Sequence, residues 1–235
     1  MIHAARRTAP QKSDLPPLEN GDHLDQRTFH ERYEAMPSDV RAELIGGIVY
    51  LSSRRALSHG YYQSKLVRLA AEYVDETPGT EGVLNTTSIL AQDAEPQPDT
   101  SIFILTECGG QTTVNEQEYL CGAPEWIGEI SVSTESIDLH AKKLDYEKAG
   151  VREYVVATVR SKQVFWFVRR RGKFKTLSLG PGGVFRSEIL PGLWIDPVAF
   201  LKRDSNRLLG VLRQGLASRE HAAFVAELRR LRSPR

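Results

Sequence analysis

The spacing of apolar residues along the chain predicts three helices in its first 150 positions. The longest covers residues 58–74, where large side chains recur on one helical face at Tyr62, Leu66, Leu69 and Tyr73. A second amphipathic helix is predicted over residues 138–149, with a buried stripe and a glycine C-cap formed by Ile137, Ala141, Leu144 and Gly150. A shorter helix is predicted over residues 28–36, with Thr28 as its N-cap.

Short apolar runs between polar, glycine-bearing or proline-bearing loops predict β-strands. The first run, residues 42–52, predicts two short strands with a turn or a bulge at Gly46-Gly47 between them. Further strands are predicted at residues 82–90, 101–105, 126–132, 154–159, 164–168 and 174–179, the last two joined by a hairpin turn at 169–172. Because strands and helices alternate irregularly, the pattern favours an α/β or α+β fold, a sheet flanked by helices, over a bundle or a sandwich.

The two ends of the chain differ from its middle. Residues 1–24 are polar and contain three prolines but few large apolar side chains, so we expect a mobile N-terminal arm. Residues 201–235 have a helical leucine pattern and nine Lys and Arg against three Asp and Glu, a local net charge of +6. Their leucine stripe has to dock on the chain's own sheet or on a second subunit. The predicted organisation is the arm, a domain over residues 25–200 and a basic helical extension over residues 201–235.

Composition excludes several classes of protein. A chain of 235 residues can bury a core without a disulfide or metal staple, and its net charge of +1 excludes a histone-like polycation. Cys108 and Cys121 are too few for a disulfide framework or a four-cysteine zinc site. We find no apolar signal segment and no apolar run approaching the ~18 residues of a membrane helix, so we expect a cytoplasmic protein without membrane contact.

Three polar signals lie near the ends of predicted elements. Asp99 follows Pro98, whose restricted φ makes a stiff corner directly before an apolar strand. Glu129 lies inside another apolar strand, where a carboxylate is costly unless it is paired or binds a metal ion. The third signal is a row on one face of the second amphipathic helix, formed by Asp138, Lys142 and Tyr146.

This set of side chains suits metal-dependent hydrolysis of phosphodiester bonds. Two carboxylates on neighbouring strands can hold Mg²⁺, which prefers oxygen ligands and activates a bound water molecule. A nearby lysine can orient that water or stabilise charge in the transition state. Each signal also has a structural interpretation that stays open: a turn at Asp99, a water-facing edge strand at Glu129 and a solvated helix pair for Asp138 and Lys142.

Residues 128–154 resemble the signature block of the Uma-type restriction endonucleases. The pattern is a Pro-Asp strand start, a strand glutamate, a serine-rich turn, an Asp-x-x-x-Lys-x-x-x-Tyr helix and Gly-Val-x-Glu-Tyr, matched here by Asp99, Glu129, Ser131, Ser133, Asp138, Lys142, Tyr146, Gly150, Val151, Glu153 and Tyr154. Upstream, Glu43 matches the family's early acidic residue, whereas Gly46 stands where many relatives have an acid. The resemblance covers about residues 28–200 and implies the PD-(D/E)XK restriction-endonuclease-like fold, a central mixed β-sheet with helices on both faces.

The resemblance further implies a divalent-metal nuclease site built from Asp99, Glu129 and a lysine. In the simplest form of the superfamily the lysine lies two residues after the glutamate, but Ser131 stands there. The lysine then has to come from the helix, as Lys142 or as Lys143, which is ~100° further round the helix.

The leading prediction is therefore a Mg²⁺- or Mn²⁺-dependent endonuclease acting on DNA. Asp99 and Glu129 are its predicted metal ligands, Lys142 assists the attacking water, and Glu43 is an outer-shell or second-metal ligand. One alternative is a catalytically silent nuclease-fold module that binds nucleic acid or a protein, which the near-neutral net charge favours. A hydrolase of smaller phosphodiesters is another. Because double-strand cleavage by this fold normally needs two active sites, we also expect a homodimer, formed through the hairpin edge or the C-terminal helices.

Two further features have more than one interpretation. His59 opens the longest predicted helix and either contacts phosphate or is a capping or surface residue. The basic hairpin formed by Arg169, Arg170, Arg171, Lys173 and Lys175 either follows a DNA backbone or protects a strand edge from aggregation.

Overall fold

The computed structural model describes residues 15–52 and 56–232. Its helices are α1 (Gln26–Tyr33), α2 (Leu57–Asp75), α3 (Lys142–Ala149), α4 (Pro197–Lys202), α5 (Ser205–Leu216) and α6 (Arg219–Arg232). Its strands are β1 (Ala42–Ile45), β2 (Ile48–Leu51), β3 (Thr80–Val83), β4 (Ser88–Ile89), β5 (Thr100–Ile104), β6 (Thr113–Val114), β7 (Leu120–Cys121), β8 (Trp126–Ser131), β9 (Glu153–Thr158), β10 (Gln163–Arg170), β11 (Lys173–Thr176), β12 (Phe185–Arg186) and β13 (Trp194–Ile195). None of these helices is long and apolar enough to cross a membrane.

A six-stranded mixed sheet forms the centre of the fold, with the strand order β11-β10-β9-β8-β5-β3. β8 and β9 are parallel, and every other neighbouring pair in this sheet is antiparallel. The parallel pair needs a crossover connection, and α3 lies within it. The predicted α/β fold with a central mixed sheet is confirmed.

Helices cover both faces of this sheet because successive side chains of a strand point to opposite sides. On one face, Trp126 and Trp166 pack with α2 and α5 in the largest hydrophobic cluster. On the other face, Ile127 and Phe167 pack with Tyr146 of α3. The alternation along β8 and β10 therefore sets α2 and α3 on opposite sides of the same strands.

The chain before α1 packs against the β1–β2 hairpin. Leu18 is buried in a small cluster with Phe29 and Val49, and the Gly21 N–H donates to the Val49 carbonyl oxygen at 2.8 Å. The predicted mobile arm therefore differs from the structure over residues 15–24, because Leu18 supplies an apolar anchor that the polar composition concealed. The rest of that arm, residues 1–14, lies outside the described residues.

Two local predictions were wrong in detail. The N-cap of α1 is Asp25, whose carboxylate accepts a hydrogen bond from the Thr28 N–H at 2.7 Å, so the helix begins two residues before the predicted cap. The single strand predicted over residues 82–90 is divided into β3 and β4. Asn85 interrupts it with a φ of 49°, a left-handed conformation that a strand cannot contain.

The C-terminal helices complete the larger cluster. Leu208 and Leu212 of α5 and Leu228 of α6 are buried in it together with residues of α2. Of the two docking possibilities for the leucine stripe, the chain's own fold is the one observed. Leu231 differs from the others and remains 43% exposed.

Candidate active site

Asp99 and Glu129 converge where β5 and β8 pair. Thr100 lies opposite Gly128 in this antiparallel ladder, which makes the two acidic residues neighbours across the strands. The Asp99 N–H donates to Glu129 Oε2 at 3.3 Å, and the Ile130 N–H donates to Asp99 Oδ2 at 2.8 Å. The structure thus brings together the two carboxylates that were predicted from the sequence as metal ligands.

Lys142 of α3 lies beside this pair. Its Nζ is 2.9 Å from Glu129 Oε1 and 2.8 Å from Glu43 Oε1. The Tyr146 hydroxyl, one turn later on the helix, donates to the same Glu129 Oε1 at 2.9 Å. Glu43 is held in turn by the Gln97 N–H, which donates to its Oε1 at 2.7 Å. All four residues named as catalytic from the sequence therefore meet at one place.

The other helix lysine faces away from these acids. Lys143 Nζ lies 4.0 Å from the centroid of the Phe167 ring, a cation–π contact. Ser131, at the position of the superfamily's usual lysine, is buried, and its hydroxyl is 3.3 Å from the Thr134 hydroxyl. Of the two lysines that the sequence left open, Lys142 is the one beside the carboxylates.

The predicted buried face of this helix was wrong. Leu144 is 47% exposed, whereas the polar row is buried: Asp138, Lys142 and Tyr146. A π-helical turn at Ile137–Ala141 precedes α3, and such wide turns occur frequently at functional sites. The physical reason for the inversion is Glu129. A buried carboxylate requires hydrogen-bond donors, and the polar row provides two of them.

Asp138 adds a fourth carboxylate, which is buried and which was predicted to lie in the row but not among the catalytic residues. Its Oδ2 accepts a hydrogen bond from the Thr134 hydroxyl at 2.5 Å. Its backbone carbonyl accepts one from the Tyr154 hydroxyl at 3.0 Å. The i,i+4 spacing from Lys142 was visible in the sequence, but that spacing is equally typical of a solvated surface pair.

α2 approaches Asp99 from another side. His59 Nε2 is 3.2 Å from Asp99 Oδ2, and Gln63 Nε2 donates to Asp99 Oδ1 at 3.2 Å. The Gln63 amide also donates to Asn85 Oδ1 at 2.9 Å. His59 is therefore neither a surface residue nor a helix cap, since it is largely buried and contacts Asp99. Gln63 was missed because one glutamine in an amphipathic helix has no distinguishing pattern.

These side chains line one cavity of about 220 Å³. Its polar lining includes four carboxylates, an imidazole and an ammonium group, from Glu43, Asp99, Glu129, Asp138, His59 and Lys142. Its apolar lining includes Ile45, Leu51, Ala56 and Val132. The hairpin β1–β2, the start of α2 and the π-helical turn all contribute, so residues far apart in sequence share one opening.

Negative charge exceeds positive charge in this cavity. Burial raises the pKa of Glu129 to about 8, since the neighbouring carboxylates add to the effect of burial and Lys142 only partly opposes it. Burial likewise raises the pKa of Asp138. Burial also acts to raise the pKa of Asp99, but the hydrogen bond and charge of His59 outweigh it, so that pKa lies below its usual value.

The donor set suits a hard divalent cation. Burial acts to lower the pKa of Lys142, but Glu129 and Glu43 outweigh this and raise it well above its usual value. Lys142 therefore keeps its positive charge, and its ammonium group shares the cavity with four carboxylates. In the described part of the chain, no group of three or more His, Cys, Asp or Glu side chains is arranged to hold a metal ion. Asp99 and Glu129 could hold Mg²⁺ as a pair, since this ion is commonly bound by one or two carboxylates and several waters.

Comparison with known proteins supports this fold. A family model described as "Uma2: Putative restriction endonuclease" matches residues 28–199. A solved structure, described as a "putative nuclease belonging to DUF820" from Anabaena variabilis ATCC 29413, aligns with a TM-score of 0.58 over 73% of this chain and 96% of that chain. The two are 17% identical, so the likeness shows a shared fold. No curated protein matches the chain significantly. Because the family model spans most of the sequence, the chain belongs to the Uma2 family of "Putative restriction endonuclease" proteins.

Proposed function

We propose that this protein is a divalent-metal-dependent endonuclease that hydrolyses phosphodiester bonds of DNA. The observation that carries the proposal is the meeting of Asp99 and Glu129 at one cavity beside the buried ammonium of Lys142. Membership in a family described as restriction endonucleases favours DNA over other phosphodiesters.

In this proposal each residue has a distinct task. Asp99 and Glu129 would hold Mg²⁺ or Mn²⁺, and the bound ion would supply Lewis-acid activation of the phosphoryl group and of the attacking water. Lys142 keeps its positive charge and stabilises negative charge that develops on the phosphate, or orients the attacking water. Glu43 contacts Lys142 at 2.8 Å and fixes the position of its ammonium group, and it can serve a second cation as an outer ligand.

Cleavage of plasmid DNA in Mg²⁺ and in Mn²⁺ tests this function. We expect Asp99→Asn, Glu129→Gln and Lys142→Met to lower the cleavage rate by about 100-fold or more, the usual cost of removing one electrostatic group from an active site. Lys143→Met is the matched control, since this neighbouring lysine contacts Phe167 instead of the acids. Equal cleavage by wild type and the three site variants, or no cleavage in either metal, contradicts the proposal.

A second candidate function is a nuclease-fold protein that binds without cleaving. The net charge of +1 supports it, because proteins that act on DNA commonly have a stronger basic surface. Calorimetry with Mn²⁺ separates the two functions. The endonuclease should bind the ion and lose that binding in Glu129→Ala, whereas a binding module should give the same signal in both proteins.

The homodimer remains part of the proposal. The hairpin β10–β11 ends the central sheet at an open edge strand, and α6 carries the exposed Leu231. Either surface offers the two-fold contact that paired cleavage of both strands requires. Light scattering should give the mass of two chains, and a mass of one chain would contradict the homodimer.

A further inference from the structure

One face of α2 is not used by the proposed catalytic site. The buried face of this helix packs on the sheet and contacts Asp99, whereas the opposite face bears Leu57, Tyr61 and Arg68 at helical spacing. Leu57 is 73% exposed and Tyr61 is 46% exposed. The helix begins beside the cavity, since the residue before it, Ala56, lines that cavity. The exposed face therefore starts next to the candidate active site.

The ring of Tyr61 is held by an arginine from another helix. The Arg203 guanidinium carbon lies 5.1 Å from the ring centroid, at the end of α4. The next residue of α2, Tyr62, packs on Phe200 with ring centroids 5.8 Å apart and donates to the Leu201 carbonyl at 3.0 Å. These contacts fix α4 against α2, so the exposed aromatic ring and the guanidinium form a preorganised pair.

The cations around this ring have no acidic partner in the described part of the chain. Within residues 15–52 and 56–232, Lys65, Arg68 and Arg203 form no ion pair with an acidic side chain. In the basic hairpin, two of the five cations have acidic partners. Arg170 pairs with Glu188, and Lys173 pairs with Glu147 at 2.9 Å. Cations that already have a carboxylate partner contribute less to phosphate binding, so these two hairpin cations are weaker candidates than the three beside Tyr61.

The hairpin also lies far from the cavity. Its strand β10 places Val168 opposite Glu153, which lies opposite Trp126 at the beginning of β8. Glu129 lies three residues further along β8, toward its other end. The hairpin turn thus projects from the end of the sheet opposite to the one at which the acids meet.

We propose that the face formed by Tyr61, Lys65, Arg68 and Arg203 binds single-stranded DNA as it enters the active site. An unpaired base stacks on the Tyr61 ring, and the three cations contact its phosphates. Aromatic stacking of this kind accepts any base but requires that the base be free of a duplex stack. The identity of the ligand as DNA rests on the proposed function, whereas its single-stranded form rests on the exposed ring.

Fluorescence anisotropy with a labelled oligothymidylate of about ten nucleotides tests this surface. All proteins carry Glu129→Gln and are measured in EDTA, so that binding is read without cleavage. We expect Tyr61→Ala to weaken binding about five-fold or more, and Tyr61→Phe, which keeps the ring, to bind like the parent protein. Arg68→Ala should lower the slope of log K against log salt by about 0.7. Lys175→Ala, which removes an exposed hairpin cation, is the charge-matched control. It should change neither the affinity for the oligothymidylate nor the slope of log K against log salt.

The outcomes separate this inference from the function on which it rests. Unchanged binding in Tyr61→Ala and Arg68→Ala overturns the surface, even if the plasmid assay shows metal-dependent cleavage. So does tighter binding of a duplex, or of a matched RNA strand, than of the DNA strand. The expected losses in binding, found in a protein that cleaves no DNA in any metal, support the surface and overturn the catalytic proposal alone.

Discussion

Replacing Lys142 by Met removes the positive charge from a cluster of buried acids while keeping most of the side-chain volume. The ammonium is 2.8 Å from Glu43 and 2.9 Å from Glu129, and its side chain is 7% exposed. Removing one member of a buried ion pair typically lowers the free energy of unfolding by about 3–5 kcal/mol, because the remaining charge is left uncompensated. For a chain of this size that loss corresponds to a fall in Tm of about 6–20 °C.

The loss should depend on pH in a defined direction. Burial already raises the folded-state pKa of Glu129 from 4.5 to about 8, so this group stabilises the fold below pH 4.5 and that stability is lost as the pH rises toward 8. Without Lys142 the folded pKa rises further, and the carboxylate must be charged at greater cost. Because Glu129 is charged mainly above pH 8, we expect the deficit of Lys142→Met relative to wild type to be smaller near pH 5 and larger near about pH 9.

Urea denaturation at about pH 5 and about pH 9 measures the deficit and its change with pH. Lys143→Met, which loses a cation–π contact with Phe167, is the matched control and should cost about 0.5–1 kcal/mol at either pH. A deficit below about 1 kcal/mol for Lys142→Met near about pH 9, or one that grows toward acid pH, would refute the account of Lys142 as the buried counter-charge.

Four other substitutions test the packing of the fold. Burial raises the pKa of Glu153 from 4.5 to about 7. The stability that this group contributes below pH 4.5 is therefore lost as the pH rises to about 7, by about 3 kcal/mol. Glu153→Gln should flatten that part of the plot of unfolding free energy against pH measured with urea, and an unchanged slope would contradict the pKa shift. Leu212→Ala, at a fully buried position, should lower the free energy of unfolding by about 2–5 kcal/mol. Leu231→Ala, at a position that is 43% exposed, should lower it by under about 0.5 kcal/mol. Equal losses of stability in thermal melts would argue against the packing of α5. Gly128→Ala would place a Cβ 2.5 Å from the ring of Trp126 and should cost about 1–3 kcal/mol, which a wild-type Tm would disprove.

The helix before Gly150 shows where sequence reasoning succeeds and where it stops. The glycine C-cap was predicted and is observed with a φ of 102°. The row of Asp138, Lys142 and Tyr146 was also recognised, but Leu144 was expected to face the core. Hydrophobic periodicity identifies a helix and its two faces, but it assigns the apolar face to the core. Here Glu129, whose burial depends on the strands around it, turns the polar row inward.

Local pattern was sufficient for those parts of the protein that depend on short-range physics. The turn at Gly46-Gly47, the long helix α2 and the alternation along the central strands all follow from conformational preference and period, and the residues of the signature block carry the family. Tertiary structure alone determined which distant groups meet. Glu43 reaches Lys142 across 99 positions of sequence, and α2 supplies His59 and Gln63 to Asp99. Such contacts depend on strand order and helix placement, which no short segment of the chain encodes by itself.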